Sequence, residues 1–250
     1  MKDLVTGREK ALTDSPMTLK SMPRISHDGS TVAFEQTTKT RRTLFVAKTA
    51  GGPPEPECDD CGAAAGLSPD GKRMVYVRSA SPRSTVHLRD LRTGQHHLLL
   101  EHPELPLYTP CVSWDGRWVV FKGDYDNRRT MIFAARIDGA TPPPVQEWIA
   151  LTEGRAWDDL PRWAPAGNLV YFTSNRDGYR CIWARRVDPL TKRPQGEPFA
   201  VRHFHDMQLT MTVLALSQMD LAVSRDRLVF PLAEVKGNIW MMEPKASARR

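Results

Sequence analysis

The chain has 250 residues, of which 40% are hydrophobic and 26% are charged, and its formal net charge is +6. This is the composition of an ordinary soluble globular protein, and no run approaches the ~18 consecutive apolar residues of a membrane-spanning helix. Residues 1–7 contain no apolar signal core, so no secretory peptide is predicted there, and the compartment stays undecided between cytoplasm and periplasm. Basic pairs such as Arg128-Arg129 are spread over several loops, so we expect no nucleic-acid partner.

The first 20 residues match the end of a repeat. Asp3-Leu4-Val5-Thr6-Gly7 corresponds to Asp90-Leu91-Arg92-Thr93-Gly94, and the residues after it occupy the place of an outermost strand. We therefore interpret residues 1–20 as an outer strand without a sheet of its own. A chain that opens inside a repeat suggests the C-terminal part of a longer protein, although Met1 could also be the natural start.

A short turn-and-strand unit then recurs five times. Asp-Gly between two hydrophobic runs is a strong hairpin signal, because Gly accepts positive φ and Asp bonds its own backbone. The turn glycines of the first four copies are separated by 42, 45 and 51 residues, and an aromatic residue follows each Gly by five positions. The five turns are Ser26-His27-Asp28-Gly29, Ser68-Pro69-Asp70-Gly71, Ser113-Trp114-Asp115-Gly116, Ala164-Pro165-Ala166-Gly167 and Ser224-Arg225-Asp226-Arg227.

A β-rich repeat of about 40–50 residues predicts an all-β propeller of four-stranded blades in a single domain covering residues 1–250. A β-sandwich would also contain hairpins, but its hairpins need not repeat their flanking residues in register. The predicted boundaries are residues 1–20 for the spare outer strand, 21–57, 58–104, 105–154, 155–203 and 204–243 for the blades, and 244–250 for a polar tail.

The fifth blade lacks a fourth strand and ends at the predicted third strand Asn238–Met242. Since an open strand edge invites aggregation, we expect residues 8–12 to pair with that strand and close a five-bladed ring. The alternative is a truncated arc of a larger propeller with six to eight blades. A proline-containing stretch in the fourth blade, residues 187–196, is predicted to be an exposed loop.

Ser-Pro-Asp-Gly followed by an apolar strand, and later by an ending such as Asp90-Leu91-Arg92-Thr93-Gly94, resembles the repeat of TolB-type β-propellers, which are related to WD repeats. The Gly237–Trp240 ending and the Cys58–Cys61 loop are also similar to propeller modules of bacterial winged-helix regulators and serine/threonine kinases. The resemblance implies an architecture, and a fold does not fix an activity.

Four charged residues flank the predicted inner strands and are our candidates for partner binding: Arg24, Asp158, Asp159 and Arg162. We expect them to line one mouth of the central channel, where loops that enter the inner strands converge. For Trp114 and Trp163 we favour packing between blades over a role at that mouth.

Two groups of residues are candidates for metal binding or redox chemistry. His203 and His205 lie on one face of an extended segment, which is compatible with a metal, although exposed polar residues on a blade edge explain the pattern equally simply. Cys58 and Cys61 could be free thiols, a local disulfide or metal ligands. The nucleophile-elbow pattern of α/β-hydrolases is missing, since Gly66-Leu67-Ser68-Pro69-Asp70 lacks its second Gly.

We therefore expect a non-catalytic, monomeric interaction or sensory module without catalytic residues or cofactors, which binds a protein or peptide at the channel mouth and belongs to a larger bacterial regulatory protein. One alternative is a metal-dependent hydrolase or lyase at the channel mouth. Another, implied by the resemblance, is a TolB-like periplasmic partner of other envelope proteins.

Overall fold

We analysed a computed structural model that describes residues 19–39, 41–59, 64–80, 83–126, 128–137, 141–205, 209–212, 214, 219–223 and 228–236. Within these residues the chain is almost entirely β-structure, and the one helical element is the 3₁₀ turn Val145–Glu147. The predicted strands at residues 8–12 and 238–242 lie outside the described residues, so ring closure through them stays a prediction.

Four antiparallel sheets of four strands follow one another along the chain, and within each sheet consecutive strands are neighbours. The first sheet contains β1 (Leu19–Ile25), β2 (Thr31–Thr37), β3 (Arg42–Lys48) and β4 (Glu55–Asp59). The second contains β5 (Ala64–Leu67), β6 (Arg73–Ala80), β7 (Arg83–Asp90) and β8 (His96–Leu100). The third contains β9 (Leu107–Val112), β10 (Trp118–Asp124), β11 (Thr130–Arg136) and β12 (Ile149–Ala150). The fourth contains β13 (Asp158–Trp163), β14 (Leu169–Ser174), β15 (Cys181–Val187) and β16 (Pro194–Arg202).

The last part of the chain contributes four short strands in two small sheets. β18 (Ala222–Val223) pairs with β19 (Leu228–Val229), and β17 (Leu209–Thr210) pairs with β20 (Ala233–Glu234). The consecutive four-stranded sheets confirm the predicted all-β propeller, whereas the number of blades remains a prediction.

The repeated turns have the chemistry that their sequence predicts. Gly29, Gly71, Gly116 and Gly167 all have φ between 63° and 73°, the left-handed region that only Gly adopts without strain. Each of these glycines donates its N–H to the carbonyl of the residue three positions earlier, at 2.9 Å. Each turn therefore closes the hairpin that joins the first two strands of its sheet.

Buried side chains fill the spaces between neighbouring sheets, as in stacked propeller blades. The second and third sheets share a cluster that includes Val75 and Phe121. The third and fourth share another that includes Ile132 and Trp163, and Trp163 is only 1% exposed. Burial of a large apolar side chain stabilises the fold by about 1.5–3 kcal/mol, so these clusters stabilise the packing of each sheet on the next.

The prediction of an exposed loop at residues 187–196 is wrong at both ends of that range. β15 continues to Val187 and β16 begins at Pro194, and these two residues face each other in the sheet. Lys192 lies between them at φ 58° and is 2% exposed. Its ammonium group donates to the carbonyls of Gly167 and Pro189, at 2.9 and 2.6 Å, so the segment is a folded turn against the fourth sheet.

Candidate functional site: the central cavity

Three of the innermost strands carry the same irregularity. The residue before a proline has positive φ in β1, β9 and β13: Met22, Thr109 and Leu160, at 50–53°. The pairing register with the second strand shifts at each of these points, which is the mark of a β-bulge. A bulge redirects the side chains that follow it, and the residues directly after the three prolines, Arg24, Cys111 and Arg162, all line one cavity.

This cavity has a volume of about 250 Å³ and lies where the inner segments of the sheets meet. Residues of β1, β5, β9 and β13 and of the segment 220–223 line its wall. Most of the wall is apolar, including Ile25, Leu67, Val112 and Trp163. Concave, mainly apolar sites with a few convergent polar groups are the usual form of a binding site.

Two arginines share one carboxylate in the cavity wall. Nη1 of Arg24 lies 2.5 Å from Oδ2 of Asp220, and Nη2 of Arg162 lies 3.0 Å from Oδ1 of the same group. Arg162 also donates through Nε to the carbonyl of Leu221 at 2.6 Å. The side chains of Arg24 and Arg162 are 14% and 7% exposed, whereas that of Asp220 is 35% exposed. Two guanidinium groups thus meet at one carboxylate in the cavity wall.

The pKa values of these groups follow from burial and from one another. Burial, together with the charge of Arg162, lowers the pKa of Arg24 to about 10 against the opposing attraction of Asp220, so Arg24 remains protonated near pH 7. Burial alone would raise the pKa of Asp220, but the charges of Arg24 and Arg162 outweigh it and lower that pKa. Arg24 and Asp220 are therefore both charged at neutral pH.

An aromatic pair forms another part of the wall. The rings of His27 and Trp114 are stacked, with centroids 3.7 Å apart and planes 16° from parallel. Burial lowers the pKa of His27 against the attraction of Asp28, so the imidazole is neutral at pH 7. Within the described residues, Nδ1 of His27 and Nε1 of Trp163 are buried without a hydrogen-bond partner.

Asp158 and Asp159 lie at the start of β13, whereas Arg162 lies near its end, so the four predicted residues are not all in one place. The side chain of Asp158 is 1% exposed and accepts two hydrogen bonds from Arg176, at 3.1 and 3.2 Å. The side chain of Asp159 is 4% exposed and pairs with Lys122 of β10 at 3.0 Å. Neither aspartate lines the cavity, so their part in partner binding stays a prediction.

Asp220 and His27 were missed by the sequence reasoning. Aligning Ser224-Arg225-Asp226 with Ser26-His27-Asp28 places Asp220 at the position of Met22, close to Arg24 of the first repeat. The alignment of the fifth repeat with the first could therefore have indicated that Asp220 lies near Arg24. His27 offered none, because it occupies a turn position that is Pro69 in the second repeat.

Cys58, His203 and His205, which are further candidates from the sequence, do not line the cavity. Cys58 is disulfide-bonded, while Cys61 lies outside the described residues, and Cys111 and Cys181 are free thiols. His203 and His205 approach each other, with ring centroids 4.6 Å apart, and both contact Asp177 near the end of the fourth sheet. Across the described residues, no helix has the length and apolarity needed to cross a membrane.

Comparison with known proteins supports the fold. No family model matches the chain. An uncharacterized protein from Agrobacterium fabrum is 32% identical over 154 residues, which is 58% of this chain and 49% of the relative. The chain thus spans about half the length of the curated relative it matches.

Solved structures of TolB-like propellers share the architecture. A putative TolB from Agrobacterium tumefaciens matches with a TM-score of 0.58 and 22% identity, over 70% of this chain and 62% of that one. TolB from Acinetobacter baumannii matches with a TM-score of 0.59 and 15% identity, over 74% and 44%. An oligogalacturonate lyase from Vibrio parahaemolyticus matches with a TM-score of 0.56 and 14% identity, over 78% and 57%. The chain has a TolB-like β-propeller fold, and at these identities the likeness concerns the fold alone.

Proposed function

We propose that this chain is a non-catalytic interaction module that binds an anionic segment of a partner protein or peptide at the central cavity. The observation that carries the proposal is the pair of buried arginines, Arg24 and Arg162, which both contact the carboxylate of Asp220 inside an apolar wall. An anionic side chain or a peptide carboxylate placed there would accept further charge-assisted hydrogen bonds from the two guanidinium groups. Guanidinium groups are well suited to this role because they form short, charge-assisted hydrogen bonds with carboxylates.

The apolar wall and the aromatic pair would supply contact area around that charge. Ile25 is 57% exposed at the cavity, and Trp114 is half-buried beside it. The residues that contribute most to binding at protein interfaces are often Trp, Tyr and Arg in well-packed pockets. We also propose that the module belongs to a larger bacterial regulatory protein.

The alternative of a metal-dependent hydrolase or lyase requires ligands for a metal beside the channel. Among the residues that the structure describes, one cluster of metal-ligating side chains was found, and none of its four members lines the cavity. The charges and the shape of the cavity therefore favour binding over catalysis at this place.

The test uses fluorescein-labelled peptide pools of equal length, one anionic and one cationic, and measures binding to the purified chain by fluorescence anisotropy. Two matched variants, Ile25→Glu and Ile25→Lys, differ from each other in the charge that they place beside the arginines. Both replace an exposed side chain, and such substitutions rarely change stability by more than about 0.5 kcal/mol. We expect the anionic pool to bind, Ile25→Glu to weaken it about tenfold and Ile25→Lys to preserve it. Equal binding of both pools, or the same affinity in both variants, would overturn the proposal.

A further inference from the structure

We propose that Asp177, Cys181, His203 and His205 form a site for a transition-metal ion of the Zn²⁺ type at the far end of the fourth sheet. Each of the four residues offers one ligand atom, and the four atoms lie within 4.8 Å of one another. Three separate chain segments bring them together: the turn after β14, the first residue of β15 and the residues after β16. The site is independent of the peptide binding proposed for the cavity.

The sheet itself explains this convergence. Ser174 faces Cys181 in the hairpin of β14 and β15, and the turn between them contains Gly178 at φ 92° and places Asp177 beside Cys181. On the other side of β15, Ile182 faces Arg202, so the chain leaving β16 passes next to Cys181. His203 and His205 come directly after Arg202, so the pairing of β16 with β15 determines where they lie.

Phe204 separates the two histidines and fixes their direction. Its side chain is 6% exposed and packs against Phe230, while its neighbours His203 and His205 are 48% and 45% exposed. Because alternate residues of an extended segment point to opposite sides, burial of Phe204 places both imidazoles on the same outer side. Its backbone N–H also donates to Sγ of Cys181 at 3.3 Å, the kind of outer contact that orients a metal ligand.

The four ligand atoms are close to the spacing that a metal requires, and small shifts of the side chains would complete it. Oδ2 of Asp177 lies 2.9 Å from both Nδ1 of His203 and Nε2 of His205. Tetrahedral Zn²⁺, with bonds of about 2.0–2.3 Å, requires ligand atoms about 3.3–3.8 Å apart. The ligand atoms therefore need to move by about 1 Å or less, and half-exposed histidine side chains can move that far without disturbing the core.

The donor set selects the class of ion. A thiolate and two imidazoles suit Zn²⁺, Co²⁺ and similar borderline ions, whereas Ca²⁺ and Mg²⁺ prefer oxygen ligands. Binding would release the thiol proton of Cys181 to solvent, and each histidine would bind as a neutral imidazole in the tautomer that leaves its ligating nitrogen without a proton. The charges of one thiolate and one carboxylate then balance the two charges of the cation. Four protein ligands complete a tetrahedral shell, so the site would join the end of β16 to the turn after β14 instead of activating a water.

The direct test is titration of the purified, untagged and metal-free chain with ZnCl₂, followed by isothermal titration calorimetry, and with CoCl₂, followed by absorption spectroscopy. We expect one ion per chain, and we expect cobalt to give a thiolate charge-transfer band together with the intense visible bands of tetrahedral coordination. His203→Ala and His205→Ala should each weaken zinc binding at least tenfold. Mutation of an outer contact alone typically weakens metal binding 10–100-fold, and loss of a direct ligand should cost no less.

The matched control is the double variant His96→Ala/His97→Ala, which removes two neighbouring exposed histidines of β8 and should bind zinc as the unaltered chain does. The proposal is overturned if no stoichiometric binding is found, if only the His96/His97 variant loses it, or if cobalt shows no thiolate band.

Discussion

Arg24 and Asp220 are 196 positions apart in the sequence, yet they form a 2.5 Å ion pair at the centre of the molecule. Arg24 belongs to the first inner strand, and Asp220 precedes β18 in the last part of the described chain. Arg162 of the fourth sheet completes the contact with the same carboxylate. The ion pairs thus connect the first, fourth and last inner segments of the described chain.

We predict that Asp220→Ala destabilises the fold by about 2 kcal/mol, because removing the shared carboxylate leaves two buried guanidinium groups next to each other. Breaking a fully buried pair costs about 3–5 kcal/mol, and the partial exposure of Asp220 reduces that figure. Urea unfolding followed by tryptophan fluorescence measures the change. Asp126→Ala, which removes an exposed pair with Arg129, is the control and should cost less than about 1 kcal/mol. Equal effects of the two substitutions would contradict the prediction.

The pair between Lys122 and Asp159 offers a second prediction. Both side chains are buried, at 6% and 4% exposed, and Lys122 also lies 4.8 Å from the ring centre of Trp157. Either Lys122→Met or Asp159→Leu alone should cost about 3–5 kcal/mol, because the remaining charge is buried without its partner. The double variant should recover part of that loss, because no unpaired charge remains, whereas the buried N–H of Leu160 still loses Oδ1 of Asp159 as its acceptor. A double-mutant cycle with no coupling between the two positions would show that the pair is not a stabilising contact.

A third prediction concerns pH. Burial lowers the pKa of His27, and it also lowers those of His87 and His102. Between these lowered values and about 6.5, the unfolded chain binds protons that the folded chain does not, so the free energy of unfolding falls as pH falls below about 6.5. We expect His27→Phe, which keeps a flat ring against Trp114, to reduce this loss between pH 7.5 and 5.5.

The measurement is urea unfolding at both pH values, with Gln195→Asn as the control because Gln195 is exposed and does not titrate. Gln195→Asn should keep the pH dependence of the unaltered chain. A His27→Phe variant with an unchanged pH dependence would mean that His27 titrates alike in the folded and unfolded chains.

The fourth prediction tests ring closure by the N-terminal segment. If residues 8–12 pair with residues 238–242, deletion of residues 1–14 exposes a strand edge and should lower the melting temperature by about 10 °C, which corresponds to roughly 3 kcal/mol for a chain of this size. Differential scanning fluorimetry measures the change, and deletion of the polar residues 244–250 is the control. A chain without residues 1–14 that melts like the intact one would favour the alternative of an open arc.

Local sequence patterns were sufficient to predict the repeated part of the fold. Turns such as Ser113-Trp114-Asp115-Gly116 depend on residues that are close in sequence, because positive φ at Gly and the short bonds of Asp are local properties. Alternating apolar residues then determine which face of each strand is buried.

Only the tertiary structure decided which charged residues meet. Arg24 and Asp158 looked equivalent in the sequence, since both flank an inner strand, but Arg24 faces the cavity and Asp158 is buried against Arg176. The bulge before Arg24 redirects its side chain, and the contact with Asp220 depends on how the first and last segments approach each other. Likewise, His203 meets Cys181 through strand register across β15 and β16. Contacts of this kind join residues far apart in the chain, so their partners are fixed by the packing of whole sheets and not by sequence spacing.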